Sequence, residues 1–169
     1  ADNSEKAIEK LKEAESISTM EMPAIRATIQ NGIGNYYLQN QDFDTSEAYF
    51  KKAISLLKST ELDHSAIESV SLQGLGNVFL LKNKEETSLQ YFKKALKIPV
   101  IGNATKIEVL GNLSRIYKKM DSIALSQKYY NEKVALNTAM LNSEREVRSV
   151  IISHIDAEQQ NTLLSDKTD

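Results

Sequence analysis

Cysteine and tryptophan are absent from this 169-residue chain. Without cysteine there is no disulfide framework and no thiolate metal site. Only two prolines and six glycines interrupt the sequence, and none of them falls after Gly111. The stretch from Ser122 onward is therefore free to run as one long helix. A surplus of positive charge is also missing, since 21 basic residues face 23 acidic ones. Neutralising nucleic-acid phosphates needs clustered excess Lys and Arg, so binding of nucleic acid by this segment is not expected. No apolar run approaches the roughly 18 residues needed to cross a bilayer, and no secretory signal precedes the first helical pattern. Membrane insertion by this segment is not expected. The compartment stays open: an extracytoplasmic sensor region of a membrane-anchored protein and a cytoplasmic protein are both compatible with the sequence.

The few breakers carry information because they are few. Pro23 suits the first turn of a helix, where its missing N–H costs nothing. Pro99 follows the periodic stretch Leu89 to Ile98 and marks a helix end. Asp42, Asp63 and Asp121 each precede a helical pattern, as N-caps do, and Asn83 with Glu86 has the form of a capping box. Between these marks apolar residues recur three and four apart, as in Ile29, Ile33, Tyr36 and Tyr37 or Leu89, Phe92 and Leu96. The β-prone run Ser149 to Ile152 lies inside such a pattern with no turn signal beside it. The spacing predicts an all-α chain of seven helices near 3–18, 23–39, 43–59, 64–82, 84–97, 104–119 and 122–164.

A repeat lies beneath this pattern. Gly32-Ile33-Gly34-Asn35-Tyr36-Tyr37 returns as Gly74-Leu75-Gly76-Asn77-Val78-Phe79, so that Gly34 recurs as Gly76 after 42 residues. Tyr49-Phe50-Lys51-Lys52-Ala53-Ile54 returns as Tyr91-Phe92-Lys93-Lys94-Ala95-Leu96 at the same offset. A helix pair repeated at fixed offset is the mark of a solenoid.

These residues resemble the tetratricopeptide repeat (TPR). In that family a large apolar residue, a small one and an aromatic mark the first helix, and small, aromatic, small mark the second. Ile33, Gly34, Tyr37, Ser46, Phe50 and Ala53 fit the first repeat, and Leu75, Gly76, Phe79, Ser88, Phe92 and Ala95 the second. Leu113, Ser114, Tyr117, Ser126 and Tyr130 fit a third, with Lys133 where a small residue belongs. A rival register would begin that repeat from Leu110-Gly111-Asn112. Upstream, Ala7, Leu11 and Ala14 fit the second helix of a repeat whose first helix is missing, as expected of a segment excised from a longer protein. The sequence departs from the family in its offset, since the usual period is about 34 residues. Gln30, Leu72 and Leu110 stand where the family has tryptophan.

The resemblance implies an α-solenoid of antiparallel helix pairs coiled into a right-handed superhelix. The array is expected over 1–134, with a half repeat at 3–18 and full repeats at about 23–59, 64–97 and 104–134. Residues 135–169 extend the last helix. The first helices of such arrays line a concave groove for a protein or peptide, and alignment aims Asn31, Asn35, Gln73, Asn77 and Arg115 into it. Amide side chains donate and accept together, which suits a peptide backbone. The chaperone-tail clamp of some members is not expected: only Asn35 matches it, and Glu108 stands where a cation should hold a carboxylate.

Other constellations have plainer readings. Gly32/Gly34 and Gly74/Gly76 lie inside helical patterns and mark close packing, since a phosphate loop needs a strand before it. His64 and His154 lack a ligand cluster, and nothing arranges a nucleophile with a base, so neither a metal, a cofactor nor an enzymatic activity is expected. Lys51-Lys52 and Lys93-Lys94 read as a solvated face.

In the last helix Met140, Val147, Ile151 and Ile155 form an apolar stripe. The stripe either caps the array or joins two copies into a homodimer. This layout is similar to the sensory or regulatory part of bacterial signalling proteins and transcription regulators of the Bacteroidetes type. The expectation is a non-enzymatic, protein-binding scaffold in such a protein, with a structural subunit of an envelope or secretion complex as the alternative.

Overall fold

A computed structural model describes residues 3–18, 22–58 and 63–165, with side chains described over 5–18, 22–58 and 63–155. The expected helix end at 59 and the last four residues of the expected 135–169 extension lie outside the described residues. The helices are α1 (Asn3–Ile17), α2 (Pro23–Gln39), α3 (Phe43–Lys58), α4 (Ser65–Leu81), α5 (Glu85–Leu96), α6 (Asn103–Lys119) and α7 (Ile123–Ser165). No strand occurs among the described residues. All seven expected helices are present, with ends within two residues of the expected ones wherever those ends are described.

Each helix pair closes by the same chemistry. Gln41, Asn83 and Asp121 adopt left-handed backbone conformations, with φ of 61°, 53° and 54°. This lets the next N–H reach back to the preceding helix: Asp42 to Tyr37, Lys84 to Phe79 and Ser122 to Tyr117, each at 2.9 Å. It is the usual left-handed stop of a helix C-terminus, and Asn or Asp tolerates it better than most residues. Asn83 and Asp121 are therefore helix stops and do not cap the following helix, which corrects that expectation. Asp42 does cap: its carboxylate accepts the Thr45 N–H at 3.2 Å. Asp63 accepts the Ser65 N–H at 2.9 Å from one residue before the cap position.

α2 packs on α3, α4 on α5 and α6 on α7, and successive pairs stack through α3 on α4 and α5 on α6. The small residues set the crossing distance. A Cβ on Gly34 would sit 3.2 Å from the Phe50 ring, and one on Gly74 would overlap that ring outright. Phe50 is thus held between the first helices of two successive repeats. Gly76 stands against Phe92 in the same way. Both phenylalanines are fully buried, each worth about 1.5–3 kcal/mol in apolar transfer. Stacked rings close the other end of every pair: Tyr37 on Tyr49, Phe79 on Tyr91 and Tyr117 on Tyr129, with centroids 5.7, 5.3 and 5.6 Å apart.

The third pair keeps this frame in the Leu113-Ser114 register. Ser126 bonds the Ser114 carbonyl as Ser46 bonds Gly34 and Ser88 bonds Gly76, at 2.8–2.9 Å. Lys133 replaces the small residue of the second helix and lies along Gly111. At the other end, Leu11 of α1 rests on Gly32, while Ile8 rather than Ala7 enters the core. The tryptophan position of the first repeat holds Gln30, fully buried and bonded to Glu15 at 3.0 Å.

Candidate partner-binding groove

α2 approaches α4 and α4 approaches α6, whereas no Cα of α3 comes within 8 Å of α5, nor any of α5 within 8 Å of α7. The first helices therefore form the inner, concave row, and the second helices splay on the outside.

The five expected groove residues are not equivalent. Asn35 is exposed on α2, and Gln73 half-buried on α4; neither side chain makes a hydrogen bond among the described residues. Asn77 and Arg115 are brought together. Asn77 donates to Glu108 at 3.2 Å and accepts from Asn112 at 2.8 Å, and Arg115 donates to the same Asn112. This Glu108–Asn77–Asn112–Arg115 chain bridges α4 and α6. A guanidinium has five N–H donors, so Arg115 keeps several for a ligand. Beside it a groove of about 520 Å³ runs along Glu108, Asn112, Arg115, Tyr130 and Lys133.

Asn31 lies elsewhere. It is 4% exposed, accepts the Ser71 hydroxyl at 2.7 Å and donates to the Ile67 carbonyl at 3.4 Å. Its amide ties α2 to α4 and is not presented to the groove. An amide aligned toward the inner row is buried here because the neighbouring first helix covers it.

Ion pairs join the rows at their edges. Lys82 at the end of α4 reaches Asp44 at 2.6 Å and Glu47 at 2.9 Å on α3, and Lys119 at the end of α6 reaches Glu85 on α5. Partial burial works to raise the Glu47 carboxyl, but bonds from Lys51 and Lys82 outweigh it and hold it below the usual range. The hydrogen bond from Lys52 likewise lowers Glu15, helped by Gln30.

A second groove, of about 480 Å³, lies between α3 and α5, and no residue pattern in the sequence pointed to it. Ile54, Leu72 and Tyr91 line it, and Lys51, Lys58 and Lys94 stand around it. The recurring lysine pairs are exposed as expected, yet one member of each, Lys51 and Lys94, faces its counterpart across this gap.

In the last helix Met140 is half-buried, while Val147, Ile151 and Ile155 are exposed. Among the described residues no Cα of α7 lies within 8 Å of any helix except α6, and the exposed part of the stripe does not fold back over the array. His154 is exposed, and among the described residues no group of acidic, His or Cys side chains is arranged to hold a metal. No helix of the described residues is long and apolar enough to cross a membrane.

Comparison with known proteins agrees with this geometry. Residues 25–99 match the tetratricopeptide repeat family model. The fold is similar to the crystal structure of BtubC (BKLC) from P. vanneervenii, with a TM-score of 0.68 and 20% identity over 81% of this chain. The matched region spans 57% of that protein's chain, little more than half its length. No curated protein matches. With glycine-spaced helix pairs, a concave inner row and the family match over its first two full repeats, the chain is an all-α solenoid whose residues 25–99 resemble tetratricopeptide repeats.

Proposed function

We propose that the chain is a non-enzymatic scaffold that takes an extended peptide of a partner protein along its inner row, as the sensory or regulatory part of a bacterial signalling protein or transcription regulator. The observation that carries the reading is the row itself. Asn35, Gln73, Asn77 and Arg115 offer neutral donors and acceptors with one guanidinium, across three successive first helices, with the buried Asn112 holding Asn77 and Arg115 together. Peptide N–H and C=O groups need such partners at regular intervals, and amides supply both roles. On α6, Glu108 stands with Arg115 and Lys133, so this end of the groove carries charges of both signs beside the amides. The long α7, projecting from the last pair, gives the regulatory reading a rigid element leading away from the groove.

The test is capture of partners from a cell extract by the parent chain and by an Asn35→Ala/Asn77→Ala/Arg115→Ala variant, with melting followed in parallel. Loss of the captured protein with little change in melting temperature supports the groove. Retained capture moves the site to the outer face or to α7. A histidine kinase or helix-turn-helix region encoded downstream supports the signalling role, and an envelope-assembly region there overturns it.

A further inference from the structure

The three helix pairs leave the aromatic of their second helix in two different states. Phe50 and Phe92 are fully buried, because the following pair lies on them. Tyr130 holds the same place in α7 and is 52% exposed. Ile123, Val134 and Leu141 are 62%, 45% and 53% exposed. With 3.6 residues per turn, these four side chains fall within an arc of about 40° on one side of α7. Of the charged residues between Ile123 and Leu141, Lys128 and Glu132 project from the opposite side, and Lys133 lies along Gly111 of α6. The face is apolar and uncovered, and α7 itself places no charge on it; exposed Lys118 of α6 borders it beside Ile123 and Tyr130.

Its spacing is a palindrome. The four residues are separated by 7, 4 and 7 positions. Reversing the helix about position 132 exchanges Ile123 with Leu141 and Tyr130 with Val134, and it exchanges the flanking amides Gln127 and Asn137. A twofold interface between identical chains needs this self-complementarity, in which residue i meets j and j meets i. We propose that α7 packs antiparallel against α7 of a second copy about an axis beside position 132. Ile123 then meets Leu141 of the second copy, Tyr130 meets Val134, and the two α6–α7 pairs join as a four-helix layer. The α7 faces that meet carry no charge, and Lys118 at their edge is exposed and keeps its ammonium in water, so no charge is buried unpaired. Val147 and Ile151 lie about 60–100° further round the helix and stay outside this contact. Tyr130 also borders the groove beside Arg115, so the pairing covers that end of the groove and leaves Asn35 and Gln73 free of the contact.

Sedimentation equilibrium of the parent chain, over a wide concentration range, should give twice its 19.0 kDa mass. Tyr130→Asp should give the monomer with unchanged helical circular dichroism, and Ile151→Asp should remain a dimer. The absence of cysteine allows a register test. An Ile123→Cys chain mixed with a Leu141→Cys chain should cross-link through a short bismaleimide, whereas each alone should not, because like positions would stand about 27 Å apart. The cross-link decides the matter even if the Asp variant unfolds. A parent monomeric at every concentration, cross-linking of either chain alone, or dissociation by Ile151→Asp with Tyr130→Asp still dimeric overturns the proposal.

Discussion

Ser88 Oγ donates a 2.8 Å hydrogen bond to the carbonyl oxygen of Gly76, and Ser46 makes the same bond to Gly34 in the preceding helix pair. Both serines are fully buried. The bond places a small side chain of the second helix directly on the small residue of the first, which brings the backbones close enough for Phe50 and Phe92 to close the gap from the far side. A small residue was readable at each of these positions, and the hydroxyl adds a polar latch to the crossing.

The crossing is expected to fail by overpacking before it fails by loss of the latch. In Gly76→Ala the added Cβ would overlap the Phe92 ring, which has no free space to retreat into, so a loss of about 1–3 kcal/mol is expected. Phe92→Ala should cost about 3–5 kcal/mol by leaving a cavity. The two positions should also couple: Phe92→Leu should cost less in the Gly76→Ala background than in the parent, with an interaction of about 0.5–3 kcal/mol in a urea-denaturation double-mutant cycle. Additive effects would mean that the two side chains do not meet.

The inner-row asparagines should separate by burial. Asn31→Ala removes the acceptor of the buried Ser71 hydroxyl and the tie from α2 to the Ile67 carbonyl, so a loss of about 1–3 kcal/mol is expected. Asn35→Ala touches an exposed side chain and should stay within about 0.5 kcal/mol of the parent. Chemical denaturation of the two single variants checks this. Equal stabilities would place Asn31 back among the groove residues.

The contrast between these asparagines shows what was legible in the sequence. The recurrence of Gly34 as Gly76 and of Phe50 as Phe92 determined the helix pairs and their register, and the resemblance to the tetratricopeptide repeat implied which helices face inward. Local periodicity also placed the ends of α2 and α5, where Pro23 and Pro99 mark them. The fate of Asn31 depends on how closely α4 approaches α2, and a single helix pattern does not contain that distance. Asn83 and Asp121 have the composition of N-caps, but the three-residue connections after α4 and α6 need a left-handed residue at their middle position, and that demand wins. The groove between α3 and α5 arises from the splay of the second helices, so Lys51 and Lys94 acquired a shared setting that neither sequence segment shows alone.

The far end of α7 gives the last prediction. Residues 141–155 are all exposed, and among the described residues no Cα of α7 lies within 8 Å of any helix except α6. α6 begins at Asn103, close to the level of Met140, so the later turns of α7 have passed the end of their only neighbour. A chain truncated after Ser149 loses Val150, Ile151, Ile152 and Ile155, none of which is buried against the array among the described residues. Its urea midpoint should match the parent's to within about 0.5 kcal/mol, with helical content falling only by the residues removed. If those side chains instead covered the last repeat in solution, each would contribute about 1.5–3 kcal/mol on burial, and the truncated chain would unfold far earlier. An early transition of that size would show that α7 folds back, and would restore the cap as the role of Val147, Ile151 and Ile155.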